Sequence, residues 1–120
     1  MKVLYCSWYE NSQEDLENAL NKITDEVIVI EHKVREYLGI DESVRQEIIS
    51  IVENGIDMII SFDFFPALSQ ICESYNIKYV SWVYDWPNYT LFHKEAYNKC
   101  NRIFLFERDG AVSYTHLTLP

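Results

Sequence analysis

Residues 57–84 read DMIISFDFFPALSQICESYNIKYVSWVY, and the order of residue types in this stretch decides the fold. Asp57 to Phe62 is a short apolar run rich in Ile, which predicts a strand. Pro66 stands where a helix can open, because its fixed φ suits the first turn and its missing N–H is not needed there. Leu68, Ile71, Cys72 and Tyr75 then recur at the spacing that lines one side of a helix. Lys78 to Tyr84 returns to strand composition. Strand, helix and strand joined by short connections make a βαβ unit, whose strands lie parallel through a right-handed crossover.

The same alternation extends in both directions from this unit. Lys2 to Trp8 is an apolar and aromatic run that predicts a first strand, ending in the polar segment Tyr9, Glu10, Asn11, Ser12. Ser12 with Asp15 three residues later resembles a capping box, and Leu16, Ala19, Leu20 and Ile23 follow at helical spacing, so a helix is expected from about Gln13 to Lys22. Val27 to Ile30 is continuously aliphatic, the pattern of a strand covered on both faces, and is expected inside the sheet. Asp41 can cap a helix whose Val44, Ile48, Ile51 and Val52 face the core, with Gly55 after its last turn. Tyr89 to Asn98 reads as a weaker helical segment and Arg102 to Phe106 as a fifth strand. The expected fold is α/β, a Rossmann-like parallel sheet of about five strands with flanking helices.

Composition narrows the class. The chain has 120 residues, enough for one domain, and its hydrophobic share of 48% and charged share of 24% are those of a globular protein. Gly, Pro and Cys number 3 each, which excludes collagen-like and disulfide-scaffold classes. Asp and Glu total 19 against 10 Lys and Arg, a formal charge of -9 that repels phosphate backbones and anionic lipid, so no nucleic-acid partner is expected. The apolar opening is too short for a signal peptide or a membrane span, and the expected location is cytoplasmic. Cys6, Cys72 and Cys100 are widely separated, with no Cys-x-x-Cys pair and no His at zinc-ligand spacing, and read as reduced, mostly buried thiols.

Residues 112–120, VSYTHLTLP, carry no charge and break the texture of the preceding chain. They match one reading frame of the transposase mosaic-end adapter used in sequencing libraries. Residues 1–110 are therefore expected to be the protein's own lobe and 111–120 a non-native tail without strand or helix pattern, the native reading frame continuing beyond.

In a parallel α/β sheet, ligands bind outside the carboxyl ends of the strands, where the strand order reverses. The order 3-2-1-4-5 would put that reversal between the first and fourth strands, with Trp8 and Glu10 opposite Asp85 and Trp86. The strand ends supply Ser7, Trp8, Tyr9 and Glu10; Asp63, Phe64 and Phe65; Asp85, Trp86 and Pro87; and Glu107 and Arg108. Gly occurs only at positions 39, 55 and 110, so neither a dinucleotide fingerprint nor a P-loop can be written, and no nucleophile elbow is present. What remains is carboxylates among rings, Phe62-Asp63-Phe64-Phe65-Pro66 and Tyr84-Asp85-Trp86-Pro87. Partial desolvation by rings makes a carboxylate a better proton acceptor near neutrality, and aromatic faces suit the apolar faces of sugars. The plain alternative is that the rings are core and the Asp residues cap the helices that follow. His32 and His93 read as loop and surface residues.

Three segments carry a family likeness: KVLYCSWYEN at 2–11, DMIISFDFFPALSQIC at 57–72 and IKYVSWVYDWPNYTLFHKEAYNKCNRIFLF at 77–106. Together they resemble the amino-terminal lobe of the CgeB-like bacterial glycosyltransferases. The resemblance implies a GT-B architecture, in which this lobe receives an acceptor glycan or other hydroxyl-bearing small molecule. A carboxy-terminal lobe, not represented here, would bind the nucleotide-sugar; no metal or other cofactor is implied. It further implies a cleft wall of Ser7, Trp8, Tyr9, Glu10, Phe64, Tyr84 and Trp86, with Asp85 as first choice and Asp63 as second choice for the base of an inverting transfer. The lobe alone is expected to be inactive. A stand-alone sugar-binding or protein-interaction module is the alternative. A response-regulator receiver is more distant, since Ser7, Trp8 and Tyr9 precede Glu10 where adjacent acids would hold magnesium, and Glu107 and Arg108 stand where a Lys is needed.

Overall fold

The computed structural model describes residues 1–7, 13–31, 40–83, 94–106 and 112–115. Its elements are β1 (Lys2–Ser7), α1 (Gln13–Ile23), β2 (Glu26–Glu31), α2 (Glu42–Glu53), β3 (Met58–Phe62), α3 (Pro66–Tyr75), β4 (Lys78–Val83), a 3-10 turn (Lys94–Tyr97), β5 (Asn101–Phe106) and β6 (Val112–Thr115). The six strands form one sheet in the order β2-β1-β3-β4-β5-β6. β1 to β5 are mutually parallel and β6 is antiparallel to β5. The fold is the expected Rossmann-like α/β arrangement.

The order of the strands differs from 3-2-1-4-5. After β2 the chain returns across β1, so β3 lies between β1 and β4, which the expected order made direct neighbours. With right-handed crossovers, this change of direction puts α1 on one face and α2 and α3 on the other. The core has that division: Leu16 and Leu20 of α1 pack on Val3, Tyr5, Ile60 and Phe62. Ile48 and Val52 of α2, with Leu68, Ile71 and Cys72 of α3, pack on Leu4, Cys6, Ile59, Tyr79 and Ile103. Each fully buried Leu or Ile here contributes roughly 1.5–3 kcal/mol relative to exposure.

β2 is also corrected. Its aliphatic run was expected inside the sheet, but β2 is an edge strand, with Glu26 and Glu31 exposed and Val27, Ile28 and Val29 only half-buried. Terminal carboxylates at an edge discourage pairing with another chain. At the opposite edge Val112–Thr115 forms β6, where the sequence pattern indicated no strand. Uncharged, β-favouring residues beside an open β5 edge complete a ladder with no strong alternation of their own.

Local details follow the expected chemistry, with two departures. Pro66 opens α3 at its first turn, and Asn76 ends it in the left-handed conformation at φ 55°, with Ile77 N–H donating to the Cys72 carbonyl at 3.0 Å. Asp41 holds the N-cap position of α2, but its carboxylate makes no capping hydrogen bond. Tyr75, expected on the core side of α3, is exposed and donates its hydroxyl to Glu53 Oε1 at 2.7 Å.

A buried polar cluster locks α3 to β5. Ser69 Oγ donates to Asn101 Oδ1 at 2.7 Å, while Asn101 Nδ2 donates to the carbonyls of Glu95 (2.8 Å) and Ala96 (3.1 Å). The three cysteines are free thiols, Cys6 and Cys72 buried and Cys100 half-buried. Among the described residues, no helix is long and apolar enough to cross a membrane, and no three His, Cys, Asp or Glu are grouped to hold a metal ion.

Candidate functional site

The reversal of strand order falls between β1 and β3. Tyr5 stands opposite Ile60 in that pair, and two residues further on each strand ends, at Ser7 and Phe62. The position at which a ligand crevice is expected is therefore the ends of β1 and β3, at Ser7 and Asp63, and not between β1 and β4. Of the two carboxylates singled out in the sequence, Asp63 lies at that position and Asp85 lies outside the described residues. Trp8, Tyr9, Glu10, Tyr84, Asp85 and Trp86, with Pro87, Glu107 and Arg108, lie outside the described residues.

Asp63 is 6% exposed and has φ 62°, the left-handed region that a residue with a Cβ enters at a cost of roughly 1–2 kcal/mol, less for Asp. Its N–H still belongs to the sheet, donating to the Trp82 carbonyl at 2.6 Å. The left-handed turn then redirects the chain, so that Phe64 and Phe65 enter the core and α3 begins at Pro66. Asp63 does not cap α3: the N-cap is Phe65, which offers no side-chain acceptor. The alternative reading of this segment was therefore right about the rings and wrong about the carboxylate.

Phe64 is fully buried, with its ring 5.6 Å from that of Tyr79, and presents no surface to a ligand. This corrects its assignment to the cleft wall. Sequence alternation does not apply beyond the strand end, where the left-handed residue turns the next side chain into the core. Ser7 is likewise fully buried at the end of β1.

Rings do cross the sheet on the opposite face. Tyr5, Phe62, Trp82 and Phe104 form a row over β1, β3, β4 and β5, with successive centroid separations of 6.5, 5.6 and 6.4 Å. Phe62, Trp82 and Phe104 are directly opposed in the strand register. Tyr5 and Phe62 are buried, whereas Trp82 and Phe104 are half-buried and supply the accessible aromatic surface.

The support beneath Asp63 comes from Ser61 and Tyr79, neither singled out in the sequence, together with the Phe65 backbone. Phe65 N–H donates to the Tyr79 hydroxyl at 3.1 Å, Tyr79 and Ser61 share a 2.6 Å hydroxyl contact, and Ser61 Oγ donates to the Asp63 carbonyl at 2.9 Å. Ser61 has one proton and gives it to Asp63, so Tyr79 is the donor in their shared bond. Complete burial pushes the Tyr79 pKa up, while its bonds to Ser61 and Phe65 oppose the shift, and the hydroxyl keeps its proton. A signal was available: a Tyr at a core-facing position of a central strand must find a partner for its hydroxyl.

A scan of protein-family models and searches of curated proteins and solved structures gave no match to this chain.

Proposed function

We propose that this lobe receives a hydroxyl-bearing acceptor, a glycan or similar small molecule, at the carboxyl edge of its sheet, and forms the acceptor side of a CgeB-like glycosyltransferase. On this reading the protein is bacterial and cytoplasmic, and the nucleotide-sugar is held by a second lobe. The observation that carries the reading is Asp63: a carboxylate-bearing residue, almost wholly buried, in a left-handed conformation at the reversal point of the sheet. Non-glycine residues held in such conformations concentrate where function fixes their geometry.

In an inverting transfer, the Asp63 carboxylate would take the proton from the acceptor hydroxyl as that oxygen attacks the sugar's anomeric carbon, the C1–O bond to the nucleoside diphosphate breaking on the opposite face and the diphosphate leaving with the bond's electrons. Asp63 is the candidate that lies among the described residues, and Asp85, the first choice from the sequence, is tested beside it. Trp82 would supply a ring for the apolar face of the acceptor. The test is transfer from nucleotide-sugars by the protein expressed from its intact locus, with Asp63→Asn and Asp85→Asn compared. Loss of the base is expected to lower the rate about 100- to 10,000-fold. An unchanged rate in Asp63→Asn removes it as the base, and sugar binding without transfer supports a binding module instead.

A second reading has one observation in its favour. The order 2-1-3-4-5 of the parallel strands, with an Asp just after the third, is also that of receiver domains. Beryllofluoride with Mg2+, which stands in for a phosphoryl group on a receiver's Asp, distinguishes the two. Amide shifts around Asp63 that require both reagents would favour a receiver, and their absence the acceptor site.

A further inference from the structure

The geometry points to Tyr79 as a positioning residue: its buried hydroxyl fixes the Asp63–Phe65 turn and thereby sets where the Asp63 carboxylate sits at the sheet edge. The inference rests on the reading of Asp63 as the residue that meets the ligand. Tyr79 lies on β4, yet its hydroxyl bonds to the end of β3 and the entry to α3. Its oxygen accepts from Phe65 N–H at 3.1 Å and donates to Ser61 Oγ at 2.6 Å, and Ser61 donates to the Asp63 carbonyl at 2.9 Å. One hydroxyl therefore holds both sides of the left-handed residue. Its ring is clamped in turn by Phe64, 5.6 Å away.

Every atom in this chain belongs to a residue that is at least nine-tenths buried: Ser61, Asp63, Phe65 and Tyr79. Water is not at hand to replace a missing partner, so the turn depends on the protein's own groups. Removing the hydroxyl oxygen deprives Phe65 N–H of its acceptor and Ser61 of its donor while leaving the ring in place. Such a change acts on the geometry of Asp63 before it acts on the sheet. A site group held by a locked rotamer and a fixed backbone needs little reorganisation when ligand arrives.

The experiment compares wild type, Tyr79→Phe and Ser61→Ala by NMR on the whole chain, and needs no sugar. The readouts are the Asp63 side-chain carboxyl 13C shift across pH, the Asp63 HN–Hα coupling that reports φ, and amide exchange at Phe65. Tyr79→Phe is expected to move both Asp63 readouts and to lower Phe65 protection about 10- to 100-fold, with amides of β1 and β2 unchanged. Ser61→Ala, which spares the core ring, is expected to move the Asp63 readouts in the same sense. It serves as the test if Tyr79→Phe does not fold. Unchanged Asp63 readouts in the folded variants, with only a uniform fall in stability, would overturn the inference and show that Tyr79 is core alone. The acceptor reading fails separately, by an unchanged transfer rate in Asp63→Asn.

Discussion

Ser61 and Ser81 stand directly opposite each other on β3 and β4, both fully buried, yet only Ser61 has its hydroxyl bonded. Buried hydroxyls destabilise unless paired, so two chemically identical substitutions should have opposite signs. Ser61→Ala is expected to cost about 1–2 kcal/mol, and Ser81→Ala to be neutral or stabilising by up to about 1 kcal/mol. Urea unfolding of the two variants measures the difference. Equal losses would show that the β3–β4 hydroxyls act only as packing.

Asp63→Gly separates stability from function. Glycine enters the left-handed region freely, which relieves the strain on Asp63, smaller than the roughly 1–2 kcal/mol of an ordinary side chain, and gives back about 0.5–1 kcal/mol in unfolded-state entropy. The variant should unfold at a temperature close to that of wild type while losing any response to acceptor. A large drop in Tm would mean that the carboxylate is there for structure.

The lock between α3 and β5 should be among the costliest polar features to remove. Asn101→Ala deletes the nearer acceptor of Ser69, leaving it the Glu95 carbonyl at 3.1 Å, and removes the amide that donates to the Glu95 and Ala96 carbonyls inside the core. The expected loss is on the order of 3 kcal/mol, read from chemical denaturation. A loss below about 1 kcal/mol would show that this cluster exchanges readily with water.

Alkaline pH should destabilise the fold through its thiols. Burial raises the Cys6 and Cys100 pKa values from 9.0 to about 12, the Cys100 shift being modulated by Ser69 and Glu73, and pushes Cys72 higher still. The folded state therefore keeps protons that the unfolded chain releases above about pH 9. Stability is full below that pH and falls as pH rises toward 12, by about 1.4 kcal/mol per pH unit for each thiol retained. Cys6→Ala should flatten the slope by one thiol's share, and Ellman's reagent should reach Cys6 and Cys72 only through unfolding.

The element types and the parallel sheet were legible because hydrophobic period and punctuation agree: Pro66 opens α3, Gly55 follows α2, and the apolar runs mark the strands. Strand order was not, since the run at Val27 to Ile30 resembles a central strand and only tertiary pairing sends β3 between β1 and β4. β6 was missed because Val112–Thr115 lacks strong alternation and gains its partner from β5. Asp63 could be named from its position after a strand. Its left-handed backbone could not, because that conformation is imposed by Tyr79, sixteen residues further along the chain.

On the proposed function, the sheet's carboxyl edge at Asp63 receives a hydroxyl-bearing ligand. Its most direct test is titration of the 15N-labelled chain with N-acetylglucosamine, methyl α-glucoside and methyl β-galactoside, monitored by amide shifts. Saturable shifts are expected at Ser7 and Asp63 to Phe65 for at least one sugar, abolished by Asp63→Asn. Shifts confined to other parts of the sheet, or none at millimolar sugar, would contradict it.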